Sequence, residues 1–433
     1  MKIGVPKEIR EGEERVALTP ETVGRLTKGG YEVLVESGAG QDYNLDVHYK
    51  EAGAEIVPDP GTVYGEADLV VKVAPPVSGE IELMHAGQVL VCFLNGPKVP
   101  GLVGRLADAG VTVFSNELIP RTGTAQSMDA LSSMGSISGY KCAIIGADYL
   151  GKYVPTLNTA AGTTQAAKVI VLGAAVAGLQ AIATMNRLGA RVYAYDIMPV
   201  VKDQVRSLGA TFIDSADQEG EEKGIEKDAV YEPTLFRRLM VFFGFYSFAK
   251  PPESEETPET KEEEEQPQGP FSPEKQEKDY ELIREHLKDA DIVVTTALVP
   301  GRPAPTLITR DMVEEMQPGS VVVDLAAENG GNCELTDPGR IFQHNGVRII
   351  GPVNLPSSMP IHASQLYSRN MKSLIDHIVE DRSDEDSDKE DLQVALDFED
   401  EIVDAMCIVH DGEVRHDQTR EVLERASRER KAR

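Results

Sequence analysis

Cysteine pairs, histidine clusters and long apolar runs are all missing from this chain of 433 residues. The four cysteines are far apart and form no Cys-x-x-Cys pair, so we expect reduced thiols. The eight histidines form no ligand cluster, and we predict no metal site. No run reaches the ~18 apolar residues needed to span a bilayer, and the N-terminus lacks the apolar core of a signal peptide. We therefore expect a cytoplasmic protein.

Positive charge is also scarce, since 43 lysines and arginines face 72 aspartates and glutamates, giving a net charge of −29. Proteins that bind nucleic acid need basic residues at the phosphates, so this balance argues against a nucleic-acid partner. The acidity resembles that of salt-adapted proteins. Two segments contribute to it: Pro251–Gln268, which is rich in Pro and Glu and predicted to be disordered, and Glu380–Asp391, predicted to be a solvated loop.

Short strands alternate with helices along the chain, a pattern typical of α/β proteins with mostly parallel sheets. The first helix is predicted to begin at Thr19-Pro-Glu and to end at Gly29-Gly30. Strands are predicted at Lys2–Val5, Tyr31–Glu36, Asp68–Val73, Val89–Leu94, Val111–Ser115, Asp291–Thr296, Ser320–Leu325 and Val347–Ile350.

The most informative stretch runs from Lys168 to Gly178 and predicts a strand, a tight glycine turn and the start of a helix. Such a turn directs backbone N–H groups and a helix N-terminus at a pyrophosphate. The usual pattern is Gly-x-Gly-x-x-Gly, and here Ala175 replaces the middle glycine between Gly173 and Gly178. Its methyl group is expected to hold the phosphates slightly farther out.

A second strand, Arg191–Tyr195, leads to Asp196. This carboxylate lies at the usual distance along the chain to accept hydrogen bonds from the adenosine ribose, which favours NAD(H) over NADP(H). Pro199 suits the first turn of a further helix that Gly209 ends. The strand–turn–helix–strand unit is thus complete, although a glycine-rich turn without a ligand remains the alternative.

The predicted domain organisation has two lobes. Residues 1–135 form an N-terminal α/β lobe, completed by helices within about 352–433. A helical stretch from about Ala125 to Ala147 leads into a linker region at 136–165. Residues 166–351 form the nucleotide-binding domain, with an insert at about 214–281 that contains the apolar run Leu239–Phe248. That run would dock on a membrane interface or a partner, or pack on its own domain.

Several motifs carry a resemblance to one family: Ile3-Gly-Val-Pro-Lys-Glu8, Arg15-Val-Ala-Leu-Thr-Pro20, Arg121-Thr-Gly-Thr-Ala-Gln126-Ser-Met-Asp129-Ala-Leu-Ser132, Thr295–Pro305, Gly319–Glu328, Gly330-Gly-Asn-Cys333 and Leu355-Pro-Ser. With them the chain resembles the NAD(H)-binding subunit of the proton-translocating NAD(P) transhydrogenases, which are related to alanine dehydrogenase. The likeness covers nearly the whole chain except about 214–281. The loop containing Arg121, Gln126 and Asp129 is its specific part, because it separates transhydrogenases from the amino-acid dehydrogenases.

The resemblance implies an α/β protein with two Rossmann-like parallel-sheet lobes, a nucleotide cleft between them and a homodimer. It also implies direct hydride transfer from bound NADH to NADP⁺ on an NADP-binding partner subunit, of the Si-specific/Re-specific type. That transfer would be coupled to proton movement through a membrane-spanning subunit, so the chain would associate peripherally with the inner membrane. Hydride transfer between two rings needs proximity and orientation but no general acid or base.

Site residues also follow from the resemblance. In the loop from Arg121 to Ser132, Gln126 would bond a carboxamide or ribose. Asp129 would hold Arg121 or a ribose hydroxyl, and Ser132 would contact the nicotinamide end. The expected cofactor contacts are Gln126, Ser127, Met128, Asp129, Gly173, Ala175, Val176, Gly178, Asp196, Ile197, Met198, Thr296 and Leu298. Tyr231 is a candidate for the tyrosine of the family's mobile loop.

Two other functions stay open. In an amino-acid dehydrogenase such as alanine dehydrogenase, Arg15 and Lys72 would hold the substrate carboxylate. The position expected for that family's acid/base histidine instead reads Phe93-Leu-Asn95, and the expected aspartate falls at Glu328. Amine oxidation needs proton transfer by a tuned group, which this chain would then lack. The other alternative is a non-catalytic NADH-binding sensor.

Overall fold

A computed structural model describes residues 1–41, 43–214, 273–298, 303–382 and 391–431. Tyr231, the apolar run Leu239–Phe248 and the acidic segment Pro251–Gln268 lie outside the described residues. The described chain forms two compact units, the first from residues 1–134 and 356–431, and the second from residues within 135–214 and 273–355. The predicted domain boundaries stay predictions.

Nineteen strands and thirteen helices are named here for the described residues. The strands are β1 (Lys2–Val5), β2 (Glu32–Glu36), β3 (Glu55–Val57), β4 (Leu69–Val71), β5 (Val89–Cys92), β6 (Thr112–Ser115), β7 (Leu157–Thr159), β8 (Gly162–Thr164), β9 (Lys168–Leu172), β10 (Arg191–Tyr195), β11 (Thr211–Phe212), β12 (Ile292–Thr295), β13 (Val321–Asp324), β14 (Ile341–His344), β15 (Val347–Ile350), β16 (Val379–Asp381), β17 (Leu392–Val394), β18 (Cys407–His410) and β19 (Glu413–Val414). The helices are α1 (Pro20–Lys28), α2 (Asp46–Glu51), α3 (Pro60–Glu66), α4 (Ser78–Ile81), α5 (Pro100–Asp108), α6 (Ala130–Tyr149), α7 (Val176–Arg187), α8 (Lys202–Ser207), α9 (Pro273–Leu287), α10 (Arg310–Glu315), α11 (Pro360–Ile378), α12 (Glu401–Met406) and α13 (Asp417–Lys431).

Each unit is built on one twisted, mostly parallel sheet. The strand order is β19-β18-β6-β5-β4-β1-β2-β3 in the first unit and β11-β10-β9-β12-β13-β15-β14 in the second. Among the described strands, β18 of the first sheet runs antiparallel to its neighbours β6 and β19, and β14 of the second runs antiparallel to β15, while the other pairs in these two sheets are parallel. Both sheets contain the order 3-2-1-4-5 that is part of a Rossmann fold, which places a switch point between the first and fourth strands. The predicted fold class is confirmed.

The strands form where the sequence has short, nearly continuous runs of Val, Ile and Leu. All four residues of β5 are buried, as are those of β12 and β13. Strands of a parallel sheet are covered by helices on both faces, so they need apolar residues at every position rather than at alternate ones. The predicted strands are found with their ends shifted by no more than two residues.

Three local predictions are refined by the structure. Helix α1 has Pro20 at its first position and ends at Gly29 as predicted, but the Thr19 side chain makes no capping bond; its backbone N–H donates to Ser368 Oγ at 2.9 Å. The acidic run expected as a loop is strand at one end, because Glu380 lies in β16, which pairs with β17. The C-terminal region contains the expected helices and, in addition, strands β16 to β19.

The four cysteines are buried and form no disulfide. Burial raises the pKa of the Cys333 thiol to about 11 and that of Cys407 to about 12, so both stay protonated at neutral pH. In the described portion of the chain, no group of three or more His, Cys, Asp or Glu side chains could hold a metal ion. No helix among the described residues is both long enough and apolar enough to cross a membrane.

Candidate functional site

The glycine turn lies at the carboxyl end of β9, where the second sheet has its switch point. Gly173 has φ of +99°, and a Cβ there would lie 2.8 Å from Thr296 Oγ1. Helix α7 begins three residues later, and a Cβ on Gly178 would lie only 1.9 Å from the carbonyl oxygen of Gly173. Both positions therefore require glycine, one for backbone conformation and close approach, the other for packing of α7 on the strand.

The N-terminus of α7 is open to an anion. Ala175 precedes the helix and is exposed, so its methyl group lies at the mouth of the turn. Among the described residues no side chain caps this helix, and its first turn carries no acidic residue. The first N–H groups of an uncapped helix are unsatisfied and carry partial positive charge, which suits a phosphate. The turn thus fits a pyrophosphate, with the Ala175 methyl as the one departure from the usual pattern.

Asp196 is fixed against this turn. Its Oδ2 accepts a hydrogen bond from the backbone N–H of Ala174 at 2.7 Å, and its Oδ1 accepts one from Met198 at 2.8 Å. Each carboxylate oxygen has a further lone pair, so ribose hydroxyls are still able to bond it. Ile197 is half-buried and Met198 is exposed beside it. The structure therefore brings the predicted adenosine contacts together with the glycine turn.

Thr296 and Leu298 follow β12, on the other side of the switch point. Thr296 is 6% exposed, and its Oγ1 donates to the carbonyl oxygen of Gly173 at 3.0 Å. This threonine consequently supports the turn from behind instead of presenting its hydroxyl to solvent. Leu298 is 48% exposed and presents an apolar surface.

Two buried polar residues of the second unit were not singled out from the sequence. Asp324 and Asn332 are both 0% exposed. The Asp324 carboxylate accepts five hydrogen bonds, from Thr295 Oγ1, Thr336 Oγ1 and the backbone N–H groups of Ala326, Asn332 and Cys333. Both residues lie in motifs that carried the resemblance, Gly319–Glu328 and Gly330–Cys333, and the Gly330-Gly331 pair was the available signal for a tightly folded segment.

The loop Arg121–Ser132 belongs to the first unit. Arg121 and Gln126 are exposed, and neither side chain has a hydrogen-bond partner among the described residues. Met128 is 5% exposed and anchors a short 3-10 turn at Gln126–Met128. The carbonyl oxygen of Ser127 accepts a hydrogen bond from Asn370 Nδ2 on α11 at 2.8 Å. The loop backbone is thus held in place while the side chains of Arg121 and Gln126 remain free.

Asp129 caps α6. Its Oδ1 accepts the backbone N–H of Ser132 at 2.8 Å, and its Oδ2 accepts the Ser132 hydroxyl at 2.5 Å. The described residues show no ion pair between Asp129 and Arg121, which was one of the two contacts expected for Asp129, the other being a ribose hydroxyl. The physical reason is that the first N–H groups of a helix need acceptors, and a carboxylate at this position supplies one.

Asp129→Ala is expected to lower the free energy of unfolding by about 1 kcal/mol, because it removes the cap of α6. Arg121→Ala is the matched variant in the same loop and is expected to change that free energy by less than about 0.5 kcal/mol, since it breaks no internal bond. Urea denaturation of the two variants measures the difference. Equal losses would mean that Arg121 also has a structural role.

Arg15 and Lys72 are both buried in ion pairs. Arg15 Nε and Nη2 each donate to a Glu13 carboxylate oxygen at 2.6 Å. Lys72 Nζ lies 2.8 Å from Glu80 Oε1 and 3.3 Å from Glu8 Oε2, and its side chain is 1% exposed. Lys72 directly follows β4 and Glu8 follows β1, so these charges fill the switch point of the first sheet.

Burial governs the ionisation of this cluster. It raises the pKa of the Glu8 carboxyl, and the nearby charge of Lys72 and the Val73 N–H offset only a fraction of that rise. Burial by itself lowers the pKa of Lys72, but the charges of Glu8 and Glu80 outweigh it, so the pKa is raised and the ammonium is kept. The positive charges of Arg15 and Lys72 are therefore neutralised by glutamates of the same chain.

Comparisons with known proteins agree with this arrangement. Residues 4–138 match the alanine dehydrogenase/PNT N-terminal domain, and residues 142–417 match the alanine dehydrogenase/PNT C-terminal domain. An NAD(P) transhydrogenase alpha-subunit chain of Rhodospirillum rubrum is 38% identical over 422 residues, which is 96% of this chain and 98% of that protein. Alanine dehydrogenase of Bacillus subtilis is 30% identical, over 83% of this chain and 81% of the enzyme.

Two solved structures are also similar to this chain. Transhydrogenase from Sinorhizobium meliloti is 36% identical with a TM-score of 0.77, covering 96% of this chain and all of that one (100%). An L-alanine dehydrogenase structure has a TM-score of 0.72 at 23% identity, covering 98% of this chain and 99% of the enzyme, and shares the fold.

Proposed function

The chain belongs to the alanine dehydrogenase/PNT family, and from this premise we propose that it is the NAD(H)-binding component of an NAD(P) transhydrogenase. One observation carries the proposal. The identity to a transhydrogenase alpha subunit is 38% over 96% of this chain, whereas the Bacillus subtilis alanine dehydrogenase reaches 30% over 83%. The near-complete coverage of the Rhodospirillum rubrum chain, at 98%, means that the likeness is not confined to one nucleotide-binding domain.

The geometry of the second unit supports a nicotinamide dinucleotide. The turn at Gly173 and the uncapped start of α7 suit a pyrophosphate, and Asp196 suits a ribose with free hydroxyls. A 2′-phosphate would be repelled by this carboxylate, which favours NAD(H). When bound, NADH supplies the hydride. The chain has to orient the ring and exclude water, and it needs no proton donor for that step.

The free side chains of Arg121 and Gln126 are proposed to contact the nucleotide, together with Ser127, Met128, Asp129 and Ser132. An unpaired guanidinium and an unpaired carboxamide on a pinned backbone are suited to orienting polar groups of a ligand at little cost in entropy. Asp129 and Ser132 already bond each other, so their proposed contribution is mainly to fix the loop.

The remaining elements of the proposal concern partners. We expect NADP(H) on a separate subunit, a membrane-spanning subunit for proton movement, and a homodimer of this chain attached peripherally to the inner membrane. Hydride transfer would be of the Si-specific/Re-specific type. The support is the family resemblance and the name of the relatives, which are alpha subunits of NAD(P) transhydrogenases.

Alanine dehydrogenase is the second candidate because of the 30% identity. The structure gives a physical reason to rank it lower. The two side chains that would hold a substrate carboxylate, Arg15 and Lys72, are already neutralised by Glu13, Glu8 and Glu80. Asn95, at the end of the segment where a histidine would be required, is exposed and in the left-handed region with φ of 50°.

The test is a fluorescence titration of the full chain with NADH and NADPH, followed by NAD⁺ with L-alanine in the same preparation. NADH is expected to bind at least about tenfold more tightly than NADPH, with no alanine oxidation. Asp196→Ala should reduce that preference, whereas Asp203→Ala, at an exposed aspartate on α8, should leave it unchanged. Reduction of NAD⁺ by alanine would replace the proposal with the second candidate, and lack of binding to either nucleotide would contradict both.

A further inference from the structure

A buried asparagine of the second unit, Asn332, bonds the backbone of Ala297, just after β12, and that of Pro305. Asn332 Oδ1 accepts the backbone N–H of Ala297 at 3.0 Å, and its Nδ2 donates to the carbonyl oxygens of Ala297 and Pro305, each at 2.8 Å. One carboxamide therefore makes three hydrogen bonds to main-chain atoms on either side of Leu298. Its side chain is closed to solvent, with 0% exposure.

Asn332 is itself held by Asp324. The Asp324 Oδ2 atom accepts the backbone N–H of Asn332 at 2.8 Å, and a Cβ on Gly331 would lie 2.9 Å from the same oxygen. Gly331 has φ of +81°, so the chain bends around the carboxylate in a conformation that favours glycine. Asp324 and Gly331 thus fix the backbone of Asn332, and the Asn332 side-chain amide bonds Ala297 and Pro305.

Ala297 and Leu298 lie at the switch point of the second sheet, where the two halves of a dinucleotide would bind on opposite sides. In a doubly wound sheet the ligand crosses the switch point, with one mononucleotide half on either side. Asp196 follows β10, on one side of β9, and Leu298 follows β12, on the other. Thr296, adjacent to the clamped Ala297, bonds the carbonyl of Gly173 and connects the two sides.

We infer that Asn332 is a positioning residue for the non-adenosine half of the nucleotide, acting through the backbone of Ala297 and the placement of Leu298. The inference rests on the proposed function, because it assumes that a dinucleotide binds at this switch point. Its physical basis is that a buried amide with three main-chain partners fixes the backbone at Ala297 and Pro305, and that removing it leaves Ala297 N–H and two carbonyl groups unsatisfied.

The experiment compares the affinity for NADH with the affinity for AMP, which carries only the adenosine half. For Asn332→Ala we expect NADH to bind about tenfold more weakly and AMP to bind within about twofold of the unchanged chain. Asn186→Ala is the matched control, because Asn186 Nδ2 also holds a backbone carbonyl, that of Leu208 at 2.7 Å, at the far end of α7. It should leave both affinities unchanged.

Equal weakening of NADH and AMP binding would overturn the inference, since it would make Asn332 a general structural residue. Unchanged NADH binding in Asn332→Ala would overturn it as well. If Asn332→Ala does not fold, Asn332→Ser, which keeps a smaller polar group, is measured in its place with the same expected split. An unchanged chain that binds neither ligand would instead contradict the proposed function, so the two failures are distinguishable.

Discussion

Gly178→Ala is expected to abolish measurable NADH binding and to lower the free energy of unfolding by about 3 kcal/mol. The added Cβ would lie 1.9 Å from the carbonyl oxygen and 2.8 Å from the carbonyl carbon of Gly173. Both atoms are main chain, so they cannot rotate away as the end of a flexible side chain would. Helix α7 would have to move off β9, and its N-terminal N–H groups would lose their alignment with the turn.

The control for this variant is Gly151→Ala, in the same unit. A Cβ at Gly151 would meet no heavy atom within 4 Å, and its φ lies outside the left-handed region. Its unfolding free energy should change by less than about 0.5 kcal/mol, with NADH binding retained. Equilibrium unfolding in urea and nucleotide fluorescence test both variants. Normal NADH affinity in Gly178→Ala would mean that the nucleotide does not use this turn.

Lys72→Met is expected to lower the free energy of unfolding by about 3 to 5 kcal/mol at pH 8, because it leaves the buried Glu8 and Glu80 carboxylates without their cation. The loss should be smaller at pH 5.5. The pKa of Glu8 is raised in the folded protein by burial, and removal of Lys72 takes away the charge that counteracts this rise. The folded state then binds more protons than the unfolded state, so stability falls as the pH rises above the unfolded value near 4.5.

Lys50→Met makes the same chemical change at an exposed lysine and should leave stability within about 0.5 kcal/mol at both pH values. Unfolding in urea at pH 5.5 and pH 8 provides the measurement. A Lys72→Met protein as stable as the unchanged chain, and altered only in its response to L-alanine, would show that Lys72 serves a substrate and not the fold.

The sequence predicts those strands and helices whose conformation is determined by residues close together in the chain. A run such as Val169-Ile170-Val171-Leu172 is buried on both faces, so its strand is evident without knowledge of its partners. The sequence does not predict strand β18, because this strand depends on pairing with a distant part of the chain. It pairs with β6, and Cys407 opposes Phe114, which is far away in the sequence. A four-residue segment gains its strand conformation from that non-local pairing.

The same distinction applies to the candidate site. Gly173, Gly178 and Asp196 belong to one strand–turn–helix–strand unit, and their spacing alone predicts their neighbourhood. The ion pairs of Lys72 join it to Glu8 and Glu80, and no spacing rule connects those three positions. The sequence also does not predict the hydrogen bonds of Asn332. Its partners Ala297 and Pro305 contribute main-chain atoms, which every residue type has, so their identity gives no indication of the contact.

The strand order that the two sheets share raises the question of how many dinucleotides one chain binds. Each sheet has an equivalent crevice, yet in the first unit the ammonium of Lys72 and the carboxylates of Glu8 and Glu80 act as built-in counter-ions there. A phosphate entering this crevice would have to displace them and would face excess negative charge. In the second unit the equivalent place has a glycine turn and an uncapped helix. This chain is therefore expected to saturate with a single dinucleotide, although it has two Rossmann-like sheets.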